Sequence, residues 1–134
     1  MARGRRLAIE SLSVKADRVI ALVRMHDAVK VMTTPKLARR ACERHPNLPD
    51  HACVNGEGPT FAAVIDHTPA PHLLEHLVID LQTEACDDPD RIFTGATRWV
   101  DRPAGLAEVQ VSYADDLVAL RAFREAADFI NGLE

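Results

Sequence analysis

No run of about 18 apolar residues occurs anywhere in the 134-residue chain, so nothing in it reads as a membrane-spanning helix. Surplus positive charge is missing too. Sixteen Lys and Arg stand against twenty Asp and Glu, and the net charge of −4 spreads over both halves. The field that draws a protein onto nucleic acid or an anionic membrane is therefore absent as a global property. The basic opening Met1-Ala2-Arg3-Gly4-Arg5-Arg6 looks like the start of a signal peptide, but Glu10, Lys15, Asp17 and Arg18 interrupt any apolar continuation. Residues 1–6 accordingly read as a solvated arm. Cys42, Cys53 and Cys86 form no CxxC, and three thiols cannot all pair within one chain, which points to a reducing, cytoplasmic setting. No internal repeat aligns.

What is present suits a single domain, 1–134. Apolar residues make up 47% and charged residues 27%, the mix of a soluble globular chain rather than a disordered one. At this length such a domain buries roughly two thirds of the surface its unfolded form exposes. Leu7 to Val14 and Val19 to Met25 read as strands around the polar break Lys15 to Arg18, with a helix over Asp17 to Met25 as the alternative, since nine residues do not settle the period. Thr34-Pro35 supplies an N-cap and a first helical residue, and Leu37, Ala38, Ala41 and Cys42 follow at helical spacing until His45-Pro46. Pro46 to Pro59 is a connection; its Asn55-Gly56-Glu57-Gly58 lacks the Lys-Ser/Thr of a phosphate cradle. Phe61 to Ile65 predicts one or two helical turns.

From Pro69, the residues Leu74, Leu77, Val78, Leu81 and Ala85 mark a buried helical stripe that ends at Asp87-Asp88-Pro89. Arg91 to Val100 and Leu106 to Tyr113 predict a second hairpin around Asp101 to Gly105. Asp115 to Leu133 is an amphipathic helix whose opening acids, Asp115 and Asp116, suit the positive end of its dipole. The order ββααββα is an α+β fold: an antiparallel sheet from two hairpins, with helices packed on one face.

The chemically pointed segment is His72-Leu73-Leu74-Glu75-His76. Histidines four apart on a helix stack one above the other, so their ring nitrogens can converge on one ion. At about 100° per residue, Glu75 and Ile79 share their face while the leucine stripe lies opposite, leaving the His/Glu face toward solvent or a second wall. In HxxEH enzymes of the inverzincin type the histidines bind zinc, the glutamate acts as general base, and a third ligand comes from elsewhere. That third ligand is open among His51, Cys53 and Asp116, each outside this helix, with His51 taken first. Asp80 continues the His/Glu face but lies about 12 Å along the axis from His72, too far for one ion to take both. The plain alternative is an exposed polar helix face, with a loop histidine, a small buried thiol and a helix-opening acid elsewhere.

Further elements widen the pattern: His51-Ala52-Cys53, Thr60-Phe61, Leu77 to Gln82 after the HxxEH, Gly95-Ala96-Thr97-Arg98, Val109 to Tyr113, and Asp115-Asp116. In this order the chain resembles the N-terminal domain of cyanophycin synthetases, from about residue 34 to 131 and most clearly from Asp50 onward. The resemblance implies a domain that holds an Asp/Arg polymer and, in some members, a metallopeptidase-like site that cuts it to make primers. The ATP-dependent ligation domains have no counterpart in these 134 residues, so a hydrolase, a binding module or an accessory subunit is expected. Pro71, Ala96 and Trp99 depart from the family's usual glycine, basic residue and glutamate. Arg98 is left as the contact for polymer or carboxylate, against the ordinary reading of a strand arginine paired with a surface acid.

Two functions follow. One is a zinc-dependent, metallopeptidase-like hydrolase of a peptide or cyanophycin-like polymer, with His72, His76 and His51 on the metal and Glu75 as base. The other is a non-catalytic domain that binds polymer, a ligase partner or another copy of itself. S-ribosylhomocysteine lyase also joins an HxxEH helix to a cysteine ligand, a role that Cys53 or Cys86 could imitate, but the rest of its pattern is missing.

Overall fold

The computed structural model describes residues 5–27 and 31–133. Its strands are β1 (Leu7–Val14), β2 (Arg18–Met25), β3 (Gly95–Asp101) and β4 (Leu106–Ser112), and its helices α1 (Pro35–Arg44), α2 (Ala70–Ala85) and α3 (Asp116–Gly132). All neighbours in the sheet are antiparallel and the order is β1-β2-β4-β3, so each hairpin contributes one inner and one edge strand. The fold is the α+β arrangement expected.

Strand alternation sets the layers. On β2, Val19, Ala21, Val23 and Met25 are buried while the residues between them are half-exposed, and Ala107, Val109 and Val111 do the same on β4. That inner face is covered by α2, lying over β3 and β4, and by α3, lying over β1 and β2, and the two helices pack on each other. The outer face carries polar pairs instead, among them Arg24 Nε donating to Glu10 at 2.7 Å and Arg98 Nε donating to Glu108 at 3.0 Å.

Helix starts follow the sequence chemistry. Thr34 Oγ1 accepts from Leu37 N–H at 3.2 Å at the start of α1, and Asp115 Oδ1 accepts from Leu117 N–H at 2.9 Å at the start of α3. Asp115 is thus the cap rather than part of the first turn. Neither Pro69 nor Pro71 has a backbone donor to satisfy, and Ala70 N–H is taken by Val31 O at 2.7 Å.

Three expectations shift. Arg91 to Thr94 is not strand: Ile92 is exposed, and the ladder begins only where Ser112 N–H donates to Thr94 O. The helical turns expected over Phe61 to Ile65 shrink to one 3₁₀ turn, Phe61–Ala63. Of the basic arm, residues 1–4 lie outside the described residues, whereas Arg6 N–H donates to Asn131 Oδ1 at 2.8 Å and is tied to the end of α3.

On α2 the His/Glu face, left open between solvent and a second wall, is covered. Ten of the helix's sixteen residues are buried: Glu75 and Gln82 lie against β3 and the end of β4, whereas His76 and Asp80 are covered by a second wall. That wall is the connection from Leu48 to Ile65, anchored by the wholly buried Leu48 and Phe61. Among the described residues, no helix is long and apolar enough to cross a membrane.

Candidate functional site

His72 and His76 stand one turn apart on α2 with ring centroids 4.9 Å apart. Phe61 holds both in place. Its ring stacks on His76 at 4.0 Å and 15° and meets His72 edge-on at 5.0 Å. The hydrogen bonds then select the free nitrogens. His72 Nδ1 lies 2.9 Å from Thr68 Oγ1, which leaves Nε2 facing Cys53 Sγ at 3.4 Å. His76 Nδ1 lies 3.1 Å from His51 Nδ1, and its Nε2 is buried without any hydrogen-bond partner. Among the described residues the only other such side-chain atom is Gln82 Oε1.

An unpaired, buried imidazole nitrogen is costly unless something occupies it in the working protein. The donor atoms of Cys53, His72 and His76 all lie within 4.8 Å of one another. A tetrahedral zinc ion, with Zn–N about 2.0–2.1 Å and Zn–S about 2.3 Å, sets its N and S donors about 3.5 Å apart. The 3.4 Å between Cys53 and His72 matches that spacing. Two imidazoles and a thiol fit zinc in kind as well as in geometry.

Burial pushes the His72 imidazole below its usual range, and pushes His76 down to about 3, with the neighbouring His72 and His51 adding to the effect. Both rings are therefore neutral at neutral pH, the state in which a nitrogen lone pair can bind a metal. Glu75 is 5% exposed and moves the other way: burial raises its carboxyl, opposed by the Thr97 hydroxyl and the His51 ring. Thr97 Oγ1 donates to Glu75 Oε1 at 2.7 Å, and Oε2 lies 3.7 Å from His76 Nε2. Gly95 makes room for this carboxylate, since a Cβ there would fall 2.8 Å from Glu75 Cγ and 2.8 Å from Gln110 O.

His51, expected on the metal, is bonded at both nitrogens. Its Nε2 lies 3.2 Å from Asp80 Oδ1, while Asp80 Oδ2 lies 2.9 Å from His45 Nδ1. A consistent proton assignment runs along this chain: His51 Nε2–H donates to Asp80, His76 Nδ1–H donates to His51, and His76 Nε2 keeps its lone pair. Burial alone would raise the Asp80 carboxyl, but its bonds to His45 and His51 hold it well below the usual range. Glu84 extends the chain to the surface, its Oε1 3.6 Å from His45 Nδ1.

The remaining expected residues separate. Cys53 faces the two histidines of the HxxEH. Asp116 opens α3 and does not line the cleft; Cys86 caps the far end of α2, about 21 Å along the axis from His72. Arg98 sits on the cleft rim, but strand alternation turns its guanidinium to the outer face, where it pairs with Glu108. Asn55 Oδ1 accepts from Glu57 and Gly58 N–H, so the glycine-containing loop spends its amides on itself rather than on an anion. Sequence reasoning missed Thr68, Thr97, Gly95, Phe61 and His45; of these, Phe61, Gly95 and Thr97 lay within quoted motifs but had no role attached.

The cleft has a volume of about 680 Å³ and lies between β3, the His/Glu face of α2 and the segment around Cys53. A family model, the cyanophycin synthase-like N-terminal domain, matches residues 19–134. The chain belongs to this family. Comparison with curated proteins finds no match. In this cyanophycin synthase-like domain the His-x-Cys and Gly-x-Thr elements thus acquire a physical reading: they form the two walls facing the HxxEH helix.

Proposed function

We propose that this domain is a zinc-dependent, metallopeptidase-like amide hydrolase acting on a peptide or cyanophycin-like polymer. The observation that carries the reading is the convergence of Cys53 Sγ and His72 Nε2 with the unpartnered, buried His76 Nε2, beside a buried carboxylate on a cleft. Cys53, His72 and His76 would hold the ion, with Cys53 taking the place expected of His51. A bound zinc supplies Lewis acidity, lowering the pKa of water and polarising a carbonyl.

The chain's own groups supply the proton handling. Thr97 fixes Glu75 Oε1, leaving Oε2 as the atom that takes a proton from the attacking water and returns it to the departing nitrogen. Burial brings the carboxyl toward the operating pH, which favours both halves of that exchange. His51 and Asp80 orient His76, as outer partners of metal-binding histidines commonly do. Arg98 is left a minor role, since its exposed guanidinium already has a carboxylate partner.

The test is metal analysis of protein purified without a histidine tag, followed by turnover on capped peptides and on an Asp/Arg polymer. One zinc per chain is expected, reduced in Cys53→Ser. Glu75→Gln should keep its zinc and lose about 100-fold or more in turnover. Zinc at background level, or equal turnover in Glu75→Gln, overturns the reading.

A further inference from the structure

The wall formed by β3 indicates what the cleft accepts. β3 is an edge strand, hydrogen-bonded only to β4 among the described strands. The register determines which of its amides face outward. Ser112 N–H donates to Thr94 O, and Met25 N–H donates to Gly105 O. Antiparallel bonding alternates, so Gln110 and Glu108 of β4 bond Ala96 and Arg98, while Val109 and Val111 bond β2. The N–H and C=O groups of Gly95, Thr97 and Trp99 therefore point away from β4, on the same stretch of strand that lines the cleft. Among the described residues no side chain bonds them. Here is an open template for another strand, directly beside Glu75 and the Cys53, His72 and His76 cluster.

The walls are apolar and their lips more so. Val54 on one side and Ile92 on the other are among the most exposed large apolar residues described, at 106% and 79%, and both line the cleft. Pro59, Pro71, Ile79 and Trp99 continue the lining inward. Beyond Glu75 and the three candidate metal-binding residues, the one ionisable side chain among the lining residues is Arg98, already paired with Glu108 on the outer face. Arg91 and Arg102 lie over the rings of Phe93 and Trp99 without lining the cleft. Among the described lining residues, no charged side chain outside the Glu75 and candidate metal-binding set is left unpaired to compensate the desolvation of closely spaced carboxylates and guanidinia, whereas apolar side chains gain by leaving water. Exposed apolar lips around a pocket mark a binding surface.

We infer that the substrate is an extended peptide segment with uncharged, mainly apolar side chains, bound as an added strand along Gly95 to Trp99, rather than a polymer dense in Asp and Arg. This rests on the hydrolase reading. Five residues of β3 offer about 16 Å of strand, enough to grip a peptide of about five residues.

The experiment uses zinc-loaded full chain and two probes, an acetylated and amidated heptapeptide of Ala, Val and Leu and an equally capped heptapeptide of alternating Asp and Arg. Binding is measured to Glu75→Gln, and cleavage with the unsubstituted chain. The apolar probe should bind at least about tenfold more tightly, the margin expected when charges are desolvated without partners. N-methylation at alternate residues of that probe should weaken binding roughly five- to thirty-fold per lost bond, while methylation at the intervening residues is tolerated. Preferential binding or cleavage of the Asp/Arg probe, or equal response to methylation at every position, overturns the inference. The two readings fail separately: absence of any cleavage with alternating methyl sensitivity intact counts against the hydrolase alone.

Discussion

Substituting Asp80 by asparagine tests whether the buried chain from Asp80 through His51 fixes the state of His76. Asp80 is 3% exposed and accepts from two imidazoles, at 2.9 Å from His45 and 3.2 Å from His51. Asparagine keeps the shape but turns two charge-assisted bonds into neutral ones, a loss of about 1–1.5 kcal/mol each. Stability should therefore fall by about 2–3 kcal/mol, lowering Tm by roughly 6–15 °C for a chain of this size. An amide also presents either an acceptor or a donor to His51, so it no longer dictates which His76 nitrogen carries the proton. Zinc affinity, measured by competition with a chelator, should drop about 10–100-fold, as is usual when an outer partner of a metal-binding histidine is lost.

The pH dependence has a definite sign. Because the folded carboxyl is depressed, its contribution to stability is fully present above the unfolded value of about 3.9 and is lost as pH falls through the folded value. The gap between the unsubstituted chain and the variant, followed by thermal melts, should be present at neutral pH and shrink as the solution is taken below about pH 4. A variant that melts like the parent and binds zinc equally well would refute the reasoning outright. Loss of stability with unchanged affinity would leave Asp80 a structural anchor only.

Two further substitutions probe the walls. Gly95→Ala places a methyl 2.8 Å from both Glu75 Cγ and Gln110 O; about 1–3 kcal/mol of overpacking is expected in denaturant melts, with a larger proportional loss of turnover than of zinc affinity, because the displaced group is the carboxylate. Phe61→Ala removes a fully buried ring stacked on His76 and should cost about 3–5 kcal/mol in chemical denaturation, with weaker zinc binding in whatever fraction stays folded.

The regular parts of the fold were legible because their signals are local. The β-branched and aliphatic content of Val19 to Met25, the Thr34-Pro35 cap and the acidic opening at Asp115 each depend on residues within one turn or one strand. Arg91 to Thr94 misled because apolar content there serves two different ends: Phe93 is buried against the fold while Ile92 stands out at the cleft lip. Composition cannot separate those. The polar face of α2 was ambiguous for a similar reason. A leucine stripe announces one apolar wall, whereas the second wall is built from irregular chain around Leu48 and Phe61, which carries no period to read.

Within the site, the HxxEH gave His72, Glu75 and His76, but the partner from the preceding segment could be assigned only in three dimensions. His51 to Cys53 is nearly extended where it faces α2: Cys53 N–H donates to Pro59 O, and Ala52 bridges Thr60. Two residues of extended chain advance about 6.6 Å and return to the same side, and four residues of helix advance about 6 Å and do likewise. Run antiparallel, those steps coincide, so His51 meets His76 while Cys53 meets His72. In the proposed site one position would serve as orienting partner and the other as donor to the ion, and the choice between them turns on which end of the His-x-Cys lies nearer the start of α2. That direction is a property of the tertiary fold, and it is why a histidine that looked the better ligand in sequence stands behind another histidine instead.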